Sequence, residues 1–268
     1  MRPLLAFALP ALLAACSWGS GSSWVNEPLA AEERASPSRS AMAPGRPMPV
    51  PARTLGARPM PGERESAEAP GGGRLVGVFR NTYYDFPSEG AASGDTQLVS
   101  LMNASCTEIA KVPRAFHDAV CVQGSGALRR GGTVSFAKRD CPCAEVCPRT
   151  GQRICFDALD PAAYPHGRGA AGKPIAPLRT VAADTNVLPM GTVIFVPELE
   201  GVTVAEGGDA SDGCFVVEDR GLRVQGEHID VFTGSPASTA LVNGRVPSNS
   251  GVHVYVEAPR CARLRAAP

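Results

Sequence analysis

With 268 residues, 26 basic and 26 acidic side chains and a formal net charge of zero, the chain sets up no overall field that would concentrate nucleic acid, and nucleic acid is not predicted as a partner. The length allows one domain or two. A tract poor in large apolar residues, running from Ser17 to Gly73, reduces that to one folded domain over residues 74–268.

The first sixteen residues read as an export signal. Arg2 supplies a short positive start, Leu4 to Leu13 a short apolar run, and Leu13-Ala14-Ala15-Cys16 a small-residue cleavage site ending in cysteine. The run falls short of the ~20 residues that a membrane-spanning helix needs. The segment resembles a bacterial lipoprotein signal. That resemblance implies lipidation at Cys16, a membrane partner reached through an N-terminal lipid anchor, and a periplasmic place in the cell envelope at the outer membrane. An ordinary secretory signal with an incidental Cys16 is the alternative. Residues 17–73 mix Ser, Ala, Gly, Pro, Arg and Glu and cannot bury enough apolar surface to offset their ordering entropy. They are expected to form a disordered tether.

Order is expected from Arg74, where Leu75 to Phe79 leads through Asn81-Thr82-Tyr83-Tyr84 as a strand rich in β-branched and aromatic residues. Ile109, Val112, Phe116 and Val120 recur at helical spacing and predict a short helix over 105–119, broken or started at Pro113. Cys106 and Cys121 flank it as candidate staples. Short strands are then predicted at Thr133–Phe136, Arg179–Ala182, Thr192–Val196, Cys214–Glu218, His228–Phe232 and Val252–Val256, separated by turn residues. Many short strands with little helical period predict a mainly β chain closed as a small barrel.

Apart from Cys16 the chain holds eight cysteines: Cys106, Cys121, Cys141, Cys143, Cys147, Cys155, Cys214 and Cys261. An even number behind an export signal predicts disulfides, with the pairing open. The segment 140–177, rich in Cys, Pro and Gly, is expected to be a disulfide-held insertion without a core of its own. Four thiolates at Cys141, Cys143, Cys147 and Cys155 offer zinc as an alternative, but the spacing is not a paired C-x-x-C and export favours oxidation. His117, His166, His228 and His253 have no metal-like spacing, so neither metal nor cofactor is predicted.

Three segments carry the chemistry: Arg179-Thr180-Val181-Ala182-Ala183-Asp184 with Leu188-Pro189-Met190-Gly191-Thr192 after it; Cys214 to Glu218 with Asp219-Arg220-Gly221; and His228-Ile229-Asp230-Val231-Phe232. Each aspartate stands at or beside a predicted strand end, and strand ends of a small barrel meet at a rim. These segments resemble the 3D domain, named for three aspartates. The resemblance implies a six-stranded double-psi β-barrel related to the catalytic barrel of membrane-bound lytic transglycosylase A. In two places the chain departs from it. Arg220-Gly221-Leu222-Arg223 replaces a glycine-rich turn, and no counterpart is expected for the large second domain that walls the family's groove.

The activity implied is cleavage of peptidoglycan glycan strands between N-acetylmuramic acid and N-acetylglucosamine. One carboxyl acts first as acid and then as base while the muramic C6 hydroxyl closes an anhydro ring. The resemblance places that role on Asp230, whose apolar neighbours Ile229 and Val231 favour a retained proton. Asp219 is expected to tune it and Asp184 to support the site, or to cap a turn. Tyr84, able to stack on a sugar or to fill the core, and His228, on the strand face of Asp230, complete the candidate substrate-binding set. The protein is expected to be a monomer; a non-catalytic glycan-binding or structural envelope lipoprotein using the same groove is the alternative function.

Overall fold

The structure, a computed structural model, describes residues 70–265 apart from 93, 206 and 207. The signal-like segment with Cys16, and the tether up to residue 69, lie outside the described residues. In chain order the elements are β1 (Arg74–Tyr84), β2 (Leu98–Met102), β3 (Glu108–Pro113), α1 (Arg114–Gln123), β4 (Ser125–Ala127), β5 (Thr133–Lys138), β6 (Cys155–Leu159), β7 (Thr180–Ala183), β8 (Val193–Glu200), β9 (Asp212–Asp219), β10 (His228–Phe232), α2 (Pro236–Arg245), β11 (Val252–Val256) and α3 (Ala262–Arg265). No described helix is long and apolar enough to cross a membrane.

Six strands close into a barrel in the order β1-β10-β7-β9-β8-β11. β1 runs parallel to β10, and β7 parallel to β9; the other pairs are antiparallel. Alternation sets the two faces. Phe79, Val181, Ala183, Ile194, Val196, Phe215, Val217, Ile229, Val231 and Val254 point inward and form the main core. Their neighbours one residue along, among them Tyr84, Ala182 and Phe232, gather in a separate cluster on the outer face. The mainly β chain on a six-stranded barrel is thus as expected. Asn81 is buried inside, where its Nδ2 donates to Tyr83 Oη (3.0 Å) and the Pro247 carbonyl (2.9 Å) and its Oδ1 accepts from Gly251 N (3.0 Å), which removes the penalty of a buried amide.

Everything between β1 and β7 forms a layer against that outer face. β2 pairs with β3, β4-β5-β6 make a second small sheet, and Leu101, Val112, Phe116, Val120, Val134 and Phe156 bury a shared core. The disulfide-rich segment, expected to lack a core of its own, shares this one: Cys147, Ile154 and Phe156 belong to the same cluster. The predicted helix over 105–119 also differs: Ile109 and Val112 lie in β3, and α1 starts at Arg114. Pro113 keeps Val112 out of the helical region and is itself extended (φ −54°, ψ 141°) as the last residue of β3, so the helix begins after it. Gly124, at φ 83°, ends the helix in the left-handed conformation that glycine accepts.

All eight described cysteines are paired: Cys106–Cys143, Cys121–Cys147, Cys141–Cys155 and Cys214–Cys261. Cys106 and Cys121 thus do not staple the helix to itself; each ties β3 or α1 into the 141–155 loop. The sulfur clusters of that loop offer no thiolate to zinc, since every sulfur in them is oxidised.

Candidate active site

Four residues line up across four adjacent strands. Thr82 of β1 pairs with Asp230 of β10, Asp230 with Ala182 of β7, and Ala182 with Asp219 of β9. The two carboxylates flank the Ala182 methyl, two strand spacings apart, roughly 9–10 Å between Cα atoms. Strict alternation would not put them together. Val217 and Val181 are both inward and paired, so Glu218 should face Ala182 and Asp219 should point into the core. A register shift between Val181 and Ala182 pairs Ala182 with Asp219 instead. A bulge re-aims a side chain in this way, and here it turns Asp219 outward. The site thus lies on the barrel's outer face, beneath the inserted layer, and not at the rim expected from strand ends.

Asp230 is held from one side. Thr82 Oγ1 donates to its Oδ1 (2.8 Å), and His228 Nε2 lies 2.8 Å from the same Thr82 oxygen. The threonine has one proton and gives it to Asp230, so His228 is the donor to Thr82. Among the described residues no hydrogen bond reaches Asp230 Oδ2. Burial pushes the Asp230 carboxyl up to about 6 from an ordinary 3.8; the charges of Asp219 and Asp85 add to the rise, while the Thr82 hydrogen bond and Arg80 oppose it.

Asp219 is fastened more completely. Its Oδ1 accepts from Ala170 N (2.9 Å) and Arg220 N (2.8 Å), and its Oδ2 from Tyr84 Oη (3.1 Å). Burial raises its pKa, against the pull of those three donors and of the Arg220 charge. Three donors reach Asp219 and one reaches Asp230, so hydrogen bonding favours the charged form more strongly at Asp219 than at Asp230. Tyr84 is pushed well above its ordinary range by burial and then by Asp219 and Asp230, which keeps its hydroxyl a donor.

The other predicted site residues sit elsewhere. Asp184 caps the turn after β7: its Oδ1 accepts from Asn186 N (3.0 Å) and Nδ2 (3.1 Å), and its Oδ2 from Gly226 N (2.8 Å). Those backbone N–H groups lower its pKa. It does not line the groove that holds Asp219 and Asp230. Tyr84 packs its ring against Phe232 at 5.1 Å between centroids and is 7% exposed, so its hydroxyl and not its face serves the site. His228 is buried behind Thr82. Burial, then Arg80, lowers its pKa, and a backbone hydrogen bond at Arg223 opposes them.

The groove has a volume of about 440 Å³. Asp230, Ala182 and Asp219 form its floor, and Gln123, Phe136, Arg139, Arg149 and Gln152 its far wall. A second wall is therefore present, built from the disulfide-held layer. Gly169 brings that layer down onto β9: a Cβ there would stand 2.5 Å from the Glu218 carbonyl oxygen, which accepts from Ala171 N (2.9 Å). Sequence reasoning missed Thr82, Ala182 and Ala170. Thr82 was legible by alternation, two residues before Tyr84; the other two depend on long-range pairing.

Fold and floor together define a small closed-barrel protein with an unequal pair of carboxylates in a walled groove. Residues 179–259 match the 3D domain family, and this segment contains all three aspartates. Among solved structures it is similar to MltA of Escherichia coli with bound chitohexaose, at 16% identity over 67% of this chain and 71% of that one, with a TM-score of 0.47. It is also similar to MltA of Neisseria gonorrhoeae (13%, 67% and 71%, TM-score 0.42) and to a membrane-bound lytic murein transglycosylase of Agrobacterium tumefaciens (18%, 59% and 54%, TM-score 0.41). No curated protein sequence matches the chain.

Proposed function

We propose that the chain is a peptidoglycan lytic transglycosylase that cleaves the bond between N-acetylmuramic acid and N-acetylglucosamine, with Asp230 as its one acid/base group. The observation that carries this reading is the state of Asp230: a carboxyl with a pKa of about 6, fixed through Oδ1, with Oδ2 left for the groove. Asp230 donates its proton to the glycosidic oxygen as the bond to C1 breaks. The resulting carboxylate then takes the proton of the muramic C6 hydroxyl as that oxygen bonds to C1. The anhydro ring closes, Asp230 regains its proton, and no water is consumed. Asp219, anionic and pinned by three donors, favours the protonated start and stabilises positive charge developing at the sugar. Asp184 holds the loop that leads into β10. The 3D-domain match supports the same reading, and the lipoprotein-like signal supports an envelope location with a membrane tether at Cys16.

The test is digestion of purified sacculi by the full chain, with products analysed by mass. Anhydro-muropeptides should appear and should vanish in a folded Asp230→Asn variant. Release of reducing ends would replace this mechanism with hydrolysis. Retained pull-down without any release would leave a glycan-binding envelope protein.

A further inference from the structure

The chain is neutral overall, yet the charged side chains lining the groove are Arg139, Arg149, Arg168, Arg220 and Arg223 against Asp219 and Asp230. Arg168 is paired with Asp157 at 2.5 Å. Among the described residues the other four arginines form no ion pair, although Asp219 feels the charge of Arg220. Four guanidinium groups around one cleft repel one another, and the fold nonetheless holds them there.

Their supports are built in. Arg139 stands two residues before Cys141 and Arg149 two after Cys147, and the disulfides Cys141–Cys155 and Cys121–Cys147 anchor both. Arg139 Nε donates to Gln152 Oε1 (3.2 Å), with its guanidinium 4.8 Å from the centre of the Phe136 ring. Arg223 Nη2 donates to the Arg149 carbonyl (3.3 Å), joining the β9–β10 loop to the cysteine loop. The Arg220-Gly221-Leu222-Arg223 turn is thus half of an arginine wall whose other half is the inserted layer.

Neutral sugars need hydroxyl and amide partners. A planar guanidinium fork fits a carboxylate. Resting on the proposed glycan-cleaving function, we infer that this wall binds carboxylates appended to the muramic sugars, so that the site takes acidic strands over a neutral chito-oligosaccharide. Two sources share that chemistry: the stem peptides, and the free lactyl group left when stems are removed.

Full-length Asp230→Asn holds ligand uncut and allows affinity to be read alone. Three ligands of equal length are compared: a peptide-bearing glycan, the same glycan with its stems removed by an amidase, and a neutral chito-oligosaccharide. The acidic strands should bind about tenfold tighter or more than the neutral one at about 0.05 M salt, two charge-assisted pairs at roughly threefold each. That gap should close by about 0.5 M salt. Adding Arg149→Gln and Arg223→Gln should shrink it to about threefold or less, and lysine at both positions should restore part of it. A gap present only with stems assigns the wall to the peptide; one that survives their removal assigns it to the lactyl group. Equal affinity for all three ligands overturns the inference and leaves the glycan function standing. Binding of none removes both.

Discussion

Replacing Asp230 by asparagine should make the protein more stable at neutral pH while abolishing glycan cleavage. The Asp230 carboxyl holds its proton up to about pH 6 in the fold against an ordinary 3.8, a gain in proton affinity of roughly a hundredfold, or about 3 kcal/mol. The sign follows from where the proton is held more tightly. Below about pH 3 folded and unfolded chains are both protonated, and the group favours folding fully. As pH rises, the unfolded chain releases its proton first, and that contribution is lost by the time the pH has passed through about 6. The amide introduced by Asp230→Asn cannot ionise. The difference in unfolding free energy, variant minus wild type, should therefore grow by about 3 kcal/mol between pH 3 and pH 7, read from denaturant titrations with the disulfides intact. Asp219 and Asp85 also titrate, but they remain in both proteins and their contributions largely cancel. A difference that stays constant across that interval would refute the placement of a retained proton on Asp230, and the acid role would go with it.

The same pair predicts opposite shifts in the pH dependence of cleavage. Asp219→Asn removes a charge that raises the Asp230 pKa, so the alkaline limb should move down by up to about one pH unit, the Coulomb value for that spacing at an effective dielectric near 20. Thr82→Val removes a hydrogen bond that lowers it, and the limb should move up; shifts of the same sign in both variants would contradict the geometry. Gly169→Ala drives a Cβ to within 2.5 Å of the Glu218 carbonyl oxygen, so it should cost about 1–3 kcal/mol of stability and lower the rate by loosening the Ala170 N–H from Asp219. Breaking Cys214–Cys261, which closes a separation of 47 residues, with serine at both positions should cost up to about 4 kcal/mol by loop entropy, read from denaturation, with the alkaline limb of the rate profile unmoved.

The barrel was legible because its strands are short apolar runs cut by turn residues. His228–Phe232 and Val252–Val256 are found at the bounds expected from sequence, and β7, β8 and β9 differ from expectation only at their ends. What escaped had weak local signals. α2 reads Pro-Ala-Ser-Thr-Ala-Leu-Val-Asn-Gly-Arg and buries only Ser238 and Val242, so it has almost no apolar stripe to find. Ile109 and Val112 fell by coincidence on a helical period shared with Phe116 and Val120, and only the proline marks the change from strand to helix. β4 is three small residues, Ser125–Ala127, held by packing on α1 and not by propensity.

The candidate site divides in the same way. Asp230 and His228 share a face by simple alternation, so their association was legible in five residues of sequence. Asp219 was legible beside Asp230 through the family resemblance and not through alternation, because parity along β9 assigns it to the apolar barrel interior. An anion there is prohibitive, and the bulge offers an alternative in which Ala170 N, Arg220 N and Tyr84 Oη all reach it. Two of those donors come from segments far away in sequence. The inserted layer therefore does more than wall the groove: through Ala170 it helps to settle which way Asp219 faces, and through Asp219 it helps to set the proton affinity of Asp230. The three aspartates that look equivalent along the chain are thereby separated into a turn cap at Asp184, a carboxyl pinned by three donors at Asp219 and a carboxyl raised by burial at Asp230.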